Sequence, residues 1–124
     1  MLAIAPGWQL EVDRGPGWLL VRLKSPDEGA SDTPPLAEEL WSLLRRHFVC
    51  RLALELDEIG LLDSHMLGQL VLLDKRIREH DGVMRLCGLS SFNQQVLRLH
   101  GLDARFPTYG DLEEAVMGCS RKPR

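Results

Sequence analysis

Leu52-Ala-Leu54-Glu-Leu56-Asp-Glu-Ile-Gly60-Leu-Leu-Asp63-Ser64-His65-Met66-Leu67-Gly68-Gln-Leu70 passes from a buried strand through a short loop into a helix. Leu52, Leu54 and Leu56 alternate on one face, and Cys50 and Ala53 add apolar surface, so Cys50 to Leu56 reads as a central strand. A short loop follows. At Asp63-Ser64 the apolar spacing changes to that of a helix, with Leu67, Leu70 and Val71 inward. A strand and a helix fix such a loop on either side, and function concentrates in loops held this way. A serine hydroxyl there can serve as a switch, a nucleophile or a helix cap.

Working outward, the helix starts at Ser64 or just after and runs to about His80. An Asp74–Arg78 pair at i, i+4 is expected outward, and Gly82 is expected to stop the helix. Val83 to Gly88 is the next strand. Ser91-Phe-Asn-Gln94 has the form of a capping box and opens a third helix that ends near Gly101. Ala104 to Thr108 reads as a short last strand, and Asp111-Leu-Glu-Glu114 opens a C-terminal helix.

Upstream, Trp8 to Asp13 and Trp18 to Lys24 alternate around Arg14-Gly15-Pro16-Gly17, a hairpin pattern. Ser25 to Pro35 is polar loop, with Thr33 as N-cap and Pro34 at the first helical position. The first helix is expected from about Pro35 to His47, with Leu36, Leu40, Leu43, Leu44 and Phe48 on one buried face. The order β-β-α-β-α-β-α-β-α predicts an α/β fold: a mixed sheet with an N-terminal hairpin, parallel crossovers and helices packed on it.

The chain has 124 residues and net charge −3, which predicts one domain with a real core and argues against nucleic-acid binding. The one basic cluster, Arg121-Lys122-Pro123-Arg124, reads as a solvated tail from residue 118 onward. No stretch is apolar enough to span a bilayer, and Met1-Leu-Ala-Ile-Ala-Pro lacks the basic start of a signal peptide, so no membrane partner is expected. Cys50, Cys87 and Cys119 make an odd count without close spacing, which fits a reducing cytoplasm.

Several segments together carry a family resemblance. Asp63-Ser64-His65-Met66-Leu67-Gly68 is similar to the Asp-Ser-Ser/Thr-Gly-Leu-Gly helix start of the STAS domain, the fold of bacterial anti-sigma factor antagonists. Gly82 to Ser90, Val96-Leu97, Gly101 to Pro107 and Leu112 to Ala115 extend the resemblance over roughly Trp8 to Met117. Here His65 replaces the second Ser/Thr and Met66 the first Gly. The resemblance implies a protein-binding regulator, not an enzyme, whose partner is both anti-sigma factor and serine kinase. It implies that Ser64 is phosphorylated and that this ends binding. Asp63, His65, Met66 and Leu67 would line the contact patch, with Ser90 and Ser91 on a neighbouring loop. A monomer or weak homodimer is expected. The alternative is a phosphorylation-independent STAS interaction module or scaffold, which His65 and Met66 favour.

The residues themselves bear on chemistry. Adjacent residues at a helix start do not point at one another, so Asp63, Ser64 and His65 form no nucleophile–base chain. His47, His65, His80, His100 and the cysteines lack the spacing of a metal site. No glycine loop cradles a phosphate, and no cofactor is expected. A charged His65 would pair with Asp63 or with a phosphate on Ser64, giving binding a pH dependence.

Overall fold

In a computed structural model of the chain, residues 2–5, 8–24 and 35–118 are described. The elements are β1 (Leu2–Ala5), β2 (Trp8–Gly15), β3 (Trp18–Lys24), α1 (Leu36–Arg46), β4 (Arg51–Glu55), α2 (Ser64–Glu79), β5 (Val83–Cys87), α3 (Ser91–Leu99), β6 (Thr108–Tyr109) and α4 (Leu112–Met117). They form one six-stranded sheet whose spatial order follows the chain, β1-β2-β3-β4-β5-β6. The first three strands pair antiparallel and the rest in parallel. β2 and β3 turn at Pro16-Gly17, where Gly17 takes φ 77°. Proline second and glycine third suit a tight turn with a left-handed residue.

Strands added always on the same side, through right-handed crossovers, put the connecting helices on one face. The core lies between α1, α2 and α3 and that face: Leu10, Val21, Leu54 and Leu86 from the sheet meet Leu40, Leu70 and Leu97. Among the described residues, α4 is the helix that covers the opposite face, over Trp18, Ala53 and Cys87. Arg85 crosses this second layer. Its guanidinium stacks over the Trp18 ring and donates to the Ala115 carbonyl at 2.9 Å, which fastens the end of α4.

Sequence and structure differ at several points. The N-terminal strand β1 was not expected; it pairs antiparallel with β2. The last strand is Thr108–Tyr109 and not Ala104–Thr108, because Arg105 and Phe106 both donate their amides to the Leu102 carbonyl in a turn. Pro107 then has no N–H with which to extend pairing along β5. Thr33, Pro34 and the basic tail lie outside the described residues. Asp74 does not face outward. Its side chain is 1% exposed, and Oδ2 accepts from Arg78 Nε and from Arg105 Nε, each at 2.9 Å.

Phe48, expected in the core, is 94% exposed. It sits just past α1 in a left-handed conformation with φ 57°. The Phe48 amide bonds to the Arg45 carbonyl and the Val49 amide to the Leu44 carbonyl. This paired closure usually takes glycine at the left-handed position. The other two long helices close in the same way, α2 with Asp81 there and α3 with Gly101.

Candidate functional site

Parallel strands gather the loops that follow them at one edge of the sheet. The loops after β4 and β5 therefore lie side by side, carrying Asp63-Ser64 on one and Ser90-Ser91 on the other. Open parallel sheets commonly place their sites at this edge.

Each loop ends in a side-chain cap. Asp63 is extended, with φ −79° and ψ 173°, and its carboxylate accepts the Met66 amide at 2.8 Å. Ser90 does the same for the Asn93 amide at 3.1 Å, so Ser90, not Ser91, caps α3. With Asp63 as cap, Ser64 becomes the first helical residue. Its side chain is exposed and its hydroxyl has no hydrogen-bond partner among the described residues. The open cap-or-switch question is thus divided: the aspartate caps and the serine is left free. The amides of Ser64 and His65, in the first helical turn, are among those that a helix start leaves without a carbonyl.

His65 is exposed and forms no ion pair with Asp63. Met66 and Leu67, expected on the contact patch, are 2% and 4% exposed and pack in the core. In α2 their side chains point inward while Ser64 and His65 point out, so the bulk of Met66 adds nothing to the outer surface. Leu61 and Phe92 are exposed instead, one beside each cap. Neither was singled out from sequence, because an isolated leucine or phenylalanine beside a cap carries no pattern.

Sequence reasoning also missed Asn93, which lies wholly buried at the start of α3. Its carboxamide oxygen accepts the Leu62 amide at 3.0 Å, and its nitrogen donates to the Ile59 carbonyl at 2.9 Å. One side chain thus ties the Ser90 helix to the loop that presents Ser64. Asn93→Leu strands a buried amide and a buried carbonyl, so urea unfolding should show a loss of about 2 kcal/mol. Amide exchange at residues 59–63 should rise more than elsewhere.

Among the described residues no base contacts the Ser64 hydroxyl. The buried Cys87 thiol at the end of β5 is pushed up to about 12 by its burial and by the Glu55 carboxylate, so it stays protonated and unreactive at neutral pH. Glu55 is held by Arg22 in an ion pair on the α4 side of the sheet. Among the described residues no three His, Cys, Asp or Glu side chains gather in a metal-binding group, and no helix is long and apolar enough to cross a membrane.

The profile of the STAS domain family matches residues 9–115. The chain belongs to the STAS domain family. Solved structures with the same fold include an anti-sigma factor antagonist from Mycobacterium paratuberculosis, at 20% identity and TM-score 0.72, covering 94% of this chain and 97% of that one. The unphosphorylated form of the anti-sigma factor antagonist SpoIIAA aligns at 16% identity and TM-score 0.64, over 89% of this chain and 97% of its own. A variant of RsbS from Moorella thermoacetica aligns at 15% identity and TM-score 0.72, over 89% and 93%. No curated protein matches the chain in sequence. The expected α/β class with an N-terminal hairpin is the fold these structures share.

Proposed function

We propose that this STAS domain is a cytoplasmic anti-sigma factor antagonist that binds a kinase-type anti-sigma factor and is switched off by phosphorylation at Ser64. The observation that carries the reading is the free Ser64 hydroxyl, exposed at a helix start whose capping is done by Asp63. A phosphate there adds roughly −1.5 to −2 charges. The helix dipole and the unpaired first amides tolerate that charge, so the fold persists. A partner docked on the same surface has to desolvate it beside Asp63. The switch therefore acts on the interface and leaves the stability of the domain alone.

The contact surface comprises Leu61, Asp63, Ser64 and His65, with Ser90, Ser91 and Phe92 beside them. Gly68 lies one turn beyond Ser64 on the same side of α2. A Cβ there would meet nothing within 4 Å, so packing does not demand glycine. Its role is to let a partner approach Ser64 closely. Gly68→Ala should raise stability by about 1 kcal/mol in a thermal melt, because glycine inside a helix is unfavourable. The same change should weaken partner binding in a calorimetric titration.

The test is intact mass after incubation with the cognate kinase and ATP. Wild type should gain one phosphate and Ser64→Ala none. His65, in place of a second Ser/Thr, favours a second reading, a scaffold that works without phosphorylation. An unmodified wild-type protein that still binds its partner would support it.

A further inference from the structure

Three helices end in the same hydrogen-bonded closure, and they form an internal comparison. The left-handed position holds Gly101 after α3, Asp81 after α2 and Phe48 after α1. Glycine takes this conformation freely and aspartate tolerates it, whereas a bulky residue is strained there. Phe48 also leaves its ring in water, 94% exposed. It is thus unfavourable for folding on two counts, and its 94% exposure leaves little packing among the described residues to offset either. A residue that the fold does not need, placed where the fold disfavours it, points to a use outside the chain.

Its surroundings suit that use. Beside Phe48 lies a groove of about 460 Å³, lined by Trp41, Leu44, Val49, Cys50 and His80. Arg45 lines it, Arg46 and Arg51 are exposed next to lining residues in the chain, and none of the three pairs with an acid among the described residues. Arg76 lies over the Trp41 ring, 5.6 Å from its centre, and reaches Glu38. Glu79 and Asp81 at the end of α2 are nearby acids in the chain, two against the three unpaired arginines, and Glu38 is engaged by Arg76. The turn from α1 to β4 and the turn from α2 to β5 both sit where parallel strands begin. This pole is therefore the end opposite Ser64.

We propose that the Phe48 pole docks an acidic amphipathic helix of a partner protein, with Phe48 as the anchor and the arginines as the charged rim. This site does not rest on the role assigned to Ser64. Charge complementarity selects the occupant: an apolar groove edged by unpaired arginines fits a helix with an apolar stripe flanked by Asp and Glu. A second copy in a two-fold contact would set arginines against arginines. The chain's own Arg121-Lys122-Pro123-Arg124 carries the same sign as the rim. Aromatic side chains with flanking arginines are the usual anchors of protein interfaces.

The probe is a labelled synthetic helix of about 18 residues, with leucines at i, i+3, i+4 and i+7 and glutamates flanking them. Controls are a scrambled peptide, the same helix with lysine for glutamate, and phosphatidylglycerol vesicles. Wild type should bind the acidic helix saturably and neither peptide control. Phe48→Gly should weaken binding roughly 30-fold, as loss of an aromatic anchor does, while its melting temperature rises. Arg45→Glu with Arg46→Glu should also abolish binding, and Ser64→Asp should leave it unchanged. The proposal is overturned by any of four results. These are no saturable binding, equal binding of a control peptide, indifference to Phe48→Gly, or capture by vesicles or self-association in place of peptide binding.

Discussion

Gly82→Ala is expected to destabilise the protein by roughly 3 kcal/mol or more, at the upper end of what overpacking does. A Cβ at this position would lie 2.1 Å from the Cys50 carbonyl oxygen, 2.7 Å from Ile77 Cγ2 and 2.8 Å from Cys50 Cβ. The nearest obstacle is backbone and cannot rotate away. That carbonyl is also committed, because it accepts the Val83 amide at 3.0 Å where β4 and β5 begin to pair. Relief of the clash would therefore open the start of the parallel ladder. Gly60→Ala is the control, since a Cβ at 60 meets nothing within 4 Å. Urea unfolding should show the Gly82 variant with a much lower midpoint, and its melting temperature should fall by roughly 10 °C. A Gly82→Ala midpoint close to that of Gly60→Ala would refute the close-packing account.

Gly82 also shows how the sequence can be right for an incomplete reason. Glycine after a helix reads as a stop signal, and α2 does end there. Asp81, however, takes the left-handed conformation, and Gly82 is needed for the approach of Cys50. A close approach between residues far apart in the chain leaves no local mark. The alternating elements, the central place of β4 and the parallel order were legible because periodicity and turn residues record burial directly. Asp74 misled because an i, i+4 pair looks the same whether exposed or buried, and Arg105, which makes the buried arrangement tolerable, is distant in sequence. Phe48 misled by continuing the apolar spacing of α1 one turn too far, past the point where the backbone reverses. At the site, the Asp63-Ser64 helix start was readable to the residue. Which neighbours face outward was read only in part: the helical spacing put Leu67 inward, as it is, yet Leu67 and Met66 were also expected on the contact patch, whereas both are buried and His65 stays out. Asn93 was invisible, since its value lies in two backbone groups on another loop.

Ser64→Asp is expected to weaken binding of the proposed anti-sigma partner by roughly 5- to 150-fold, the range of a coupling of about 1–3 kcal/mol. The physical basis is the desolvation of a new charge next to Asp63 on a surface that is otherwise free to be covered. The same substitution should barely change the unfolding midpoint, because the Ser64 hydroxyl makes no hydrogen bond that the fold loses and an acid at a helix start is favoured. Loss of affinity without loss of stability separates a switch from a structural serine. Aspartate carries only part of the charge of a phosphate, so its effect is the lower bound.

The most direct measurement compares the partner affinity of the unphosphorylated protein with that of the same protein phosphorylated at Ser64, by calorimetric titration at fixed salt. The predicted result is tight binding of the free hydroxyl form and a drop of at least the size seen with Ser64→Asp, with both forms equally folded. Equal affinities for the two forms would contradict it.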